Sequence, residues 1–219
     1  MNPDYQTAAI KAAETLIEYG ICSSPIDPLP ILKKRPDVLV LSYAEISADV
    51  CAERKQIVSL FGEKSQDAVT SVHLLEGKNV YVVGFNQMLP NYMTQRALAR
   101  ELGHIVLGHN GSREDEVRTA EAKCFAHHFL CPRPLIHMVQ ASGLRLTTEL
   151  LGNLTGCYER CLYCMRHTPG VEVPPELNRA VRDQMKEHFV NFFEFQRVVS
   201  LSDGSALADF GSYMDGYAE

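Results

Sequence analysis

Apolar residues recur at helical spacing over residues 3–19, where Ala9, Ala12, Ala13, Leu16 and Ile17 share one side. Gly20 follows as a C-terminal stop. The stretch 23–30, Ser-Ser-Pro-Ile-Asp-Pro-Leu-Pro, reads as a turn-rich connection into a short helix. Val38-Leu39-Val40-Leu41 is an unbroken apolar run and predicts a buried strand. A helix is expected over 44–61, ended by Gly62. Short β-branched runs at 68–75 and 80–85, separated by Glu76-Gly77-Lys78-Asn79, predict a hairpin. Over 91–107 the period becomes helical, with Leu98, Leu102, Ile105 and Val106 on one stripe, and Gly108 and Asn110-Gly111 break it. Ser112 is placed to cap a following helix, with Glu114, Asp115 and Glu116 in its first turn; that helix reaches residue 130 and meets Pro132 and Pro134.

The rest of the chain reads as helices over 135–141, 148–154, 157–166 and 175–198, the last burying Phe189, Phe192, Phe193 and Phe195. From Ser200 onward the chain is rich in Ser, Gly, Asp and Ala and holds no Lys or Arg, which predicts a mobile acidic tail over 200–219. Together these elements predict an α+β protein, mostly helical, with a small N-terminal sheet or hairpin and a C-terminal helical part. The expected division is 1–140 for the main domain and 141–199 for a helical extension packed on it.

Composition adds little to that picture and charge narrows it. Hydrophobic residues make up 46% of the 219 and charged residues 22%, as in ordinary globular proteins. The formal net charge of −6 disfavours a direct grip on nucleic acid, which needs a basic surface. No apolar run approaches the roughly 18 residues of a membrane span, and residues 1–10 carry no secretory signal. Seven cysteines, odd in number and clustered, argue against a disulfide framework. A cytoplasmic protein with reduced thiols is the expectation.

The candidate chemistry lies on the helix over 91–107. Two histidines at i and i+4 can clasp one zinc, and a glutamate after the first can deprotonate the metal-bound water. Here the spacing is present in Arg100-Glu101-Leu102-Gly103-His104, with arginine at position i. Alone, Glu-x-x-His is a weak signal, equally an exposed glutamate and a histidine near a helix end. The wider pattern is more specific: Leu98-Ala99 before the motif, Leu107-Gly108-His109 after it, then Glu121-Ala122, Phe125-Ala126, Leu130 and Pro132.

These blocks resemble the ImmA/IrrE family of metallopeptidases, over roughly residues 5–140. A helix, a Pro-Ile-Asp-Pro segment, a strand and a hairpin also look like that family's N-terminal part. The resemblance implies a zincin-like domain in which His104 and Glu121 are metal ligands and Glu101 is the general base. It also implies a helix-turn-helix repressor as protein partner, in a phage, mobile-element or stress-response setting. His109 matches a common family histidine, or sits in a solvated loop after its glycine. Gly103 is expected to let a neighbouring element approach the helix closely.

Arg100 departs from the family. A guanidinium has no lone pair to give a metal. Structural zinc binding of about 10–16 kcal/mol is spread over roughly four ligands, so losing one costs several. A guanidinium about 5 Å from a divalent cation adds a repulsion of roughly 6–7 kcal/mol at an effective dielectric near 20. Arg100 is therefore expected to bridge to Glu121 or Glu101 and to replace zinc as the tie between the two helices. Cys124 is a further ligand candidate, three residues after Glu121.

A second motif, Cys157-x3-Cys161-x2-Cys164 with Tyr163 before the last cysteine, has the spacing of radical S-adenosylmethionine enzymes, whose thiolates hold an iron–sulfur cluster. Those enzymes carry it early, before a large barrel, whereas few residues follow it here. At i, i+4 and i+7 the three cysteines equally form one buried helix face. Three functions stay open: a zinc peptidase, a pseudo-peptidase that binds its partner without cutting, and a metal or iron–sulfur protein using Cys157, Cys161 and Cys164.

Overall fold

The computed structural model describes residues 2–50, 67–109, 116–142, 147–156 and 171–202. In chain order these form α1 (Tyr5–Glu18), α2 (Leu29–Lys34), β1 (Val38–Ser42), α3 (Tyr43–Val50), β2 (Ala68–Leu75), β3 (Lys78–Phe85), α4 (Asn91–Val106), α5 (Glu116–Leu130), α6 (Arg133–Ala141), α7 (Thr148–Thr155) and α8 (Pro175–Ser202). The architecture is α+β, with a small sheet among helices. Among the described residues no helix is long and apolar enough to cross a membrane.

Helix α1 starts where the Asp4 carboxylate accepts from the Thr7 amide at 2.9 Å and the Thr7 hydroxyl at 2.7 Å. It ends at Gly20, with φ of +62°. The Gly20 amide bonds the Ile17 carbonyl and the Ile21 amide bonds that of Leu16, a Schellman closure. The buried face of α1 is mostly alanine (Ala8, Ala9, Ala12 and Ala13), which lets it lie close along α5.

The sheet has the order β1-β3-β2. β1 runs parallel to β3, from Val38 opposite Tyr81 to Ser42 opposite Phe85. β2 runs antiparallel to it, from Ala68 opposite Phe85 to Leu75 opposite Lys78. The predicted hairpin is present with a tighter turn: Glu76 and Gly77 alone make it, at φ of +50° and +76°, and Lys78 and Asn79 belong to β3. Positive φ at both central residues matches the twist of the flanking strands. β1 is not the wholly buried strand its apolar run predicts. It lies at a sheet edge, and Leu39 is 49% exposed.

One buried cluster takes in Ala9 and Leu16 of α1, Leu98 and Leu102 of α4, Phe125 and Phe129 of α5, Leu151 of α7, and Val181, Phe189 and Phe193 of α8. Residues before and after position 140 thus share a core. Gln184 of α8 reinforces the join, donating to the carbonyls of Leu16 at 2.8 Å and Ile21 at 2.6 Å. Phe192 is only partly buried, and the Phe195 side chain lies outside the described residues. α8 continues to Ser202, so residues 200–202 are helical rather than the start of a tail; residues 203–219 lie outside the described stretches. The same holds for 51–66, where the rest of the helix expected over 44–61 would fall, and for Ser112 and its neighbours.

Candidate functional site

Helix α4 packs on β2 and β3 and against α5. Its approach to α5 depends on Gly103: a Cβ there would stand 3.0 Å from Phe125 Cδ1 and 3.1 Å from the Ala122 carbonyl oxygen. With no side chain at 103, α4 comes close enough to α5 for residues at its last turn to reach Glu121. Two polar groups result, one on the sheet side of α4 and one toward α5.

On the sheet side, Glu101 is 4% exposed. Arg100 donates to its Oε1 through Nη2 at 3.0 Å and Nε at 3.1 Å. Thr70 of β2 donates to Oε2 at 2.8 Å. Neighbours at i and i+1 do not face each other on a helix. Arg100 reaches Glu101 because its side chain bends toward the sheet, where Nη2 also donates to the Ala68 carbonyl at 3.2 Å. The expected partnership with Glu101 is therefore present, but the tie runs from α4 to β2. It does not join α4 to α5.

That second join is made by a histidine whose role the sequence left open. Helix α4 ends in a Schellman closure: Gly108, at φ of +68°, donates to the Ile105 carbonyl at 3.1 Å, and the His109 amide donates to that of His104 at 2.9 Å. The reversal folds His109 back over the last turn. Its Nδ1 lies 3.0 Å from His104 Nδ1, and its Nε2 donates to Glu121 Oε2 at 3.0 Å. The Asp4 amide, at the entrance to α1, donates to Glu121 Oε1 at 2.7 Å. One chain of bonds thus links α1, α5 and the end of α4. The His109 side chain is 11% exposed, not a solvated loop residue. The detectable signal is Leu107-Gly108-His109 itself, because a glycine just past a helix end brings the next residue over the last turn.

Burial, reinforced by His109, Arg100 and Arg118, pushes the His104 pKa down to about 3, so its imidazole is neutral at ordinary pH. Burial also lowers His127 and His128 to about 4 each. Cys124 does not join the site. Its Sγ lies 3.6 Å from the Tyr5 carbonyl, and burial raises the thiol to about 11, away from the thiolate a metal needs. Cys157, Cys161 and Cys164 lie outside the described residues.

These residues, so arranged, do not fit a catalytic zinc. Such a site needs donors converging at roughly 2.0–2.2 Å on one point, with three from the protein. Here His104 and Glu121 contact nitrogens on opposite edges of the His109 ring, so the three groups run in series. The position of the first ligand holds a guanidinium committed to Glu101. Among the described residues no three His, Cys, Asp or Glu side chains gather as a metal-binding group. Comparison of the chain with family models, curated proteins and solved structures finds no match.

Proposed function

We propose that this chain is a pseudo-peptidase of the ImmA/IrrE type, which binds a protein partner such as a helix-turn-helix repressor without cutting it. The observation that carries this reading is the pairing of Arg100 with Glu101. In an intact peptidase, the glutamate at that position takes a proton from a water held by the metal. In this chain its oxygens accept from Arg100 and Thr70, and the residue beside it is a cation where an imidazole would be needed. The loss of both functions at one turn removes the chemistry while leaving the helices and the sheet edge around it in place. The overall charge of −6 favours a protein as partner over nucleic acid.

The test is metal analysis of the purified chain and of Arg100→His, together with incubation of each with the repressor encoded beside its gene. The reading expects no stoichiometric zinc in the original chain, about one zinc in the revertant, and a complex with uncut repressor. Stoichiometric zinc in the original chain, or repressor cleavage that stops on Glu101→Gln, would overturn it.

A further inference from the structure

We propose that His109 is an internal occupant of the degenerate centre, a side chain that stands in for a cation between His104 and Glu121 and competes with any metal for Glu121. This inference rests on the pseudo-peptidase reading and adds how the centre is kept closed. In that reading the two helices need a tie other than zinc, and Arg100 supplies none between them, since its bonds go to Glu101 and β2.

The geometry assigns the tie to His109. Its backbone is held over the last turn of α4 by the bond to the His104 carbonyl, so its position does not depend on the side-chain contacts. The two imidazole rings meet edge to face, with centroids 5.1 Å apart and planes at 69°. A carboxylate only accepts, so His109 carries a proton on Nε2 toward Glu121. The facing Nδ1 atoms of the two rings, 3.0 Å apart, share one proton. Both carboxylate oxygens of Glu121 hold a donor, one from His109 and one from the Asp4 amide. A metal seeking Glu121 must displace the imidazole or share the carboxylate with it. With Glu121 16% and His109 11% exposed, water has little room to replace a displaced partner.

The alternative role for such a histidine is to orient a metal-bound His104 from behind, which would strengthen metal binding. The two roles predict opposite signs. The experiment uses the full chain in the Arg100→His background, with and without His109→Phe, titrated with zinc alone against a fluorescent chelator. Phenylalanine keeps the ring and removes both nitrogens; His109→Ala serves in its place if circular dichroism shows that the first variant does not fold. Competition by His109 predicts that its removal tightens zinc binding by roughly tenfold or more, the equivalent of about 1.4 kcal/mol. Equal or weaker binding on removing His109 overturns the inference and leaves the pseudo-peptidase reading intact. A thermal midpoint of the original chain that drops when chelator is added overturns that reading instead. Absence of zinc binding in both reverted variants overturns the site assignment under both.

Discussion

One turn apart on α4, Arg100-Glu101 and His104 meet opposite kinds of neighbour. On the sheet side a guanidinium and a nearly buried carboxylate hold each other against a strand carbonyl and a hydroxyl. Toward α5 a neutral imidazole passes through a second imidazole to a carboxylate. The difference lies in what remains when one partner is removed. A buried charge left alone has no inexpensive alternative, whereas a neutral ring left alone loses a hydrogen bond. The sheet side is therefore the stiffer half, and the α5 side is the half that ligands and pH can act on.

The largest effect expected is that of acid, acting through His104 and through His127 and His128 of α5. His104, His127 and His128 have folded-state values of about 3, 4 and 4, below the 6.5 of an unfolded chain. Between these limits the unfolded state binds more protons, so stability rises with pH; it is fully present above 6.5 and is lost as pH falls toward 4. Each group contributes at most about 1.4 kcal/mol per pH unit, so three together set a maximum slope of about 4 kcal/mol per pH unit. Urea midpoints should be level near pH 7.5 and fall steeply below 6.5. A level profile down to pH 5 would show that the imidazoles reach water without unfolding.

Next in size is Glu101→Ala, which strands Arg100 and should cost about 3 kcal/mol in urea unfolding. Replacing both partners by Arg100→Met with Glu101→Leu should recover most of that loss, and a double variant no better than the single would contradict the pairing. On the other half, His109→Phe should cost about 2 kcal/mol by leaving Glu121 and His104 short of partners. Equal losses for His109→Phe and Glu101→Ala would erase the contrast between the halves. The smallest effect expected is that of Gly108→Ala, about 1 kcal/mol for placing a Cβ at φ of +68°. Because it disturbs the same closure, its loss and that of His109→Phe should not add; strict additivity would mean that the turn does not hold the ring.

Most elements were legible because each carries its own periodic signal. The spacing in α1, α4 and α8, and the β-branched runs of β2 and β3, are properties of consecutive residues. Gly20 and Gly108 mark helix ends for the same reason, since the left-handed conformation they adopt closes a turn through bonds that reach three and five positions back. The burial of β1 was less legible. Val38-Leu39-Val40-Leu41 reads alike in the middle of a sheet and at its edge, and strand order alone exposes Leu39.

Sequence alone determined that Glu101 and His104 would lie near the end of one helix and that Glu121 would follow on another. It also carried the Gly108-His109 turn that brings a second imidazole back to the first. The tertiary structure decided whom each side chain meets. Arg100 turned to Glu101 and the Ala68 carbonyl because β2 lies over that side of α4. His109 reached Glu121 because Gly103 lets α5 come close, and Asp4 closed the far oxygen because α1 starts beside α5. Apart from the adjacent pair Arg100 and Glu101, those partners are separated by between 12 and 117 positions. Helical periodicity reports only on residues within a few turns, so contacts at that range follow from how the elements pack.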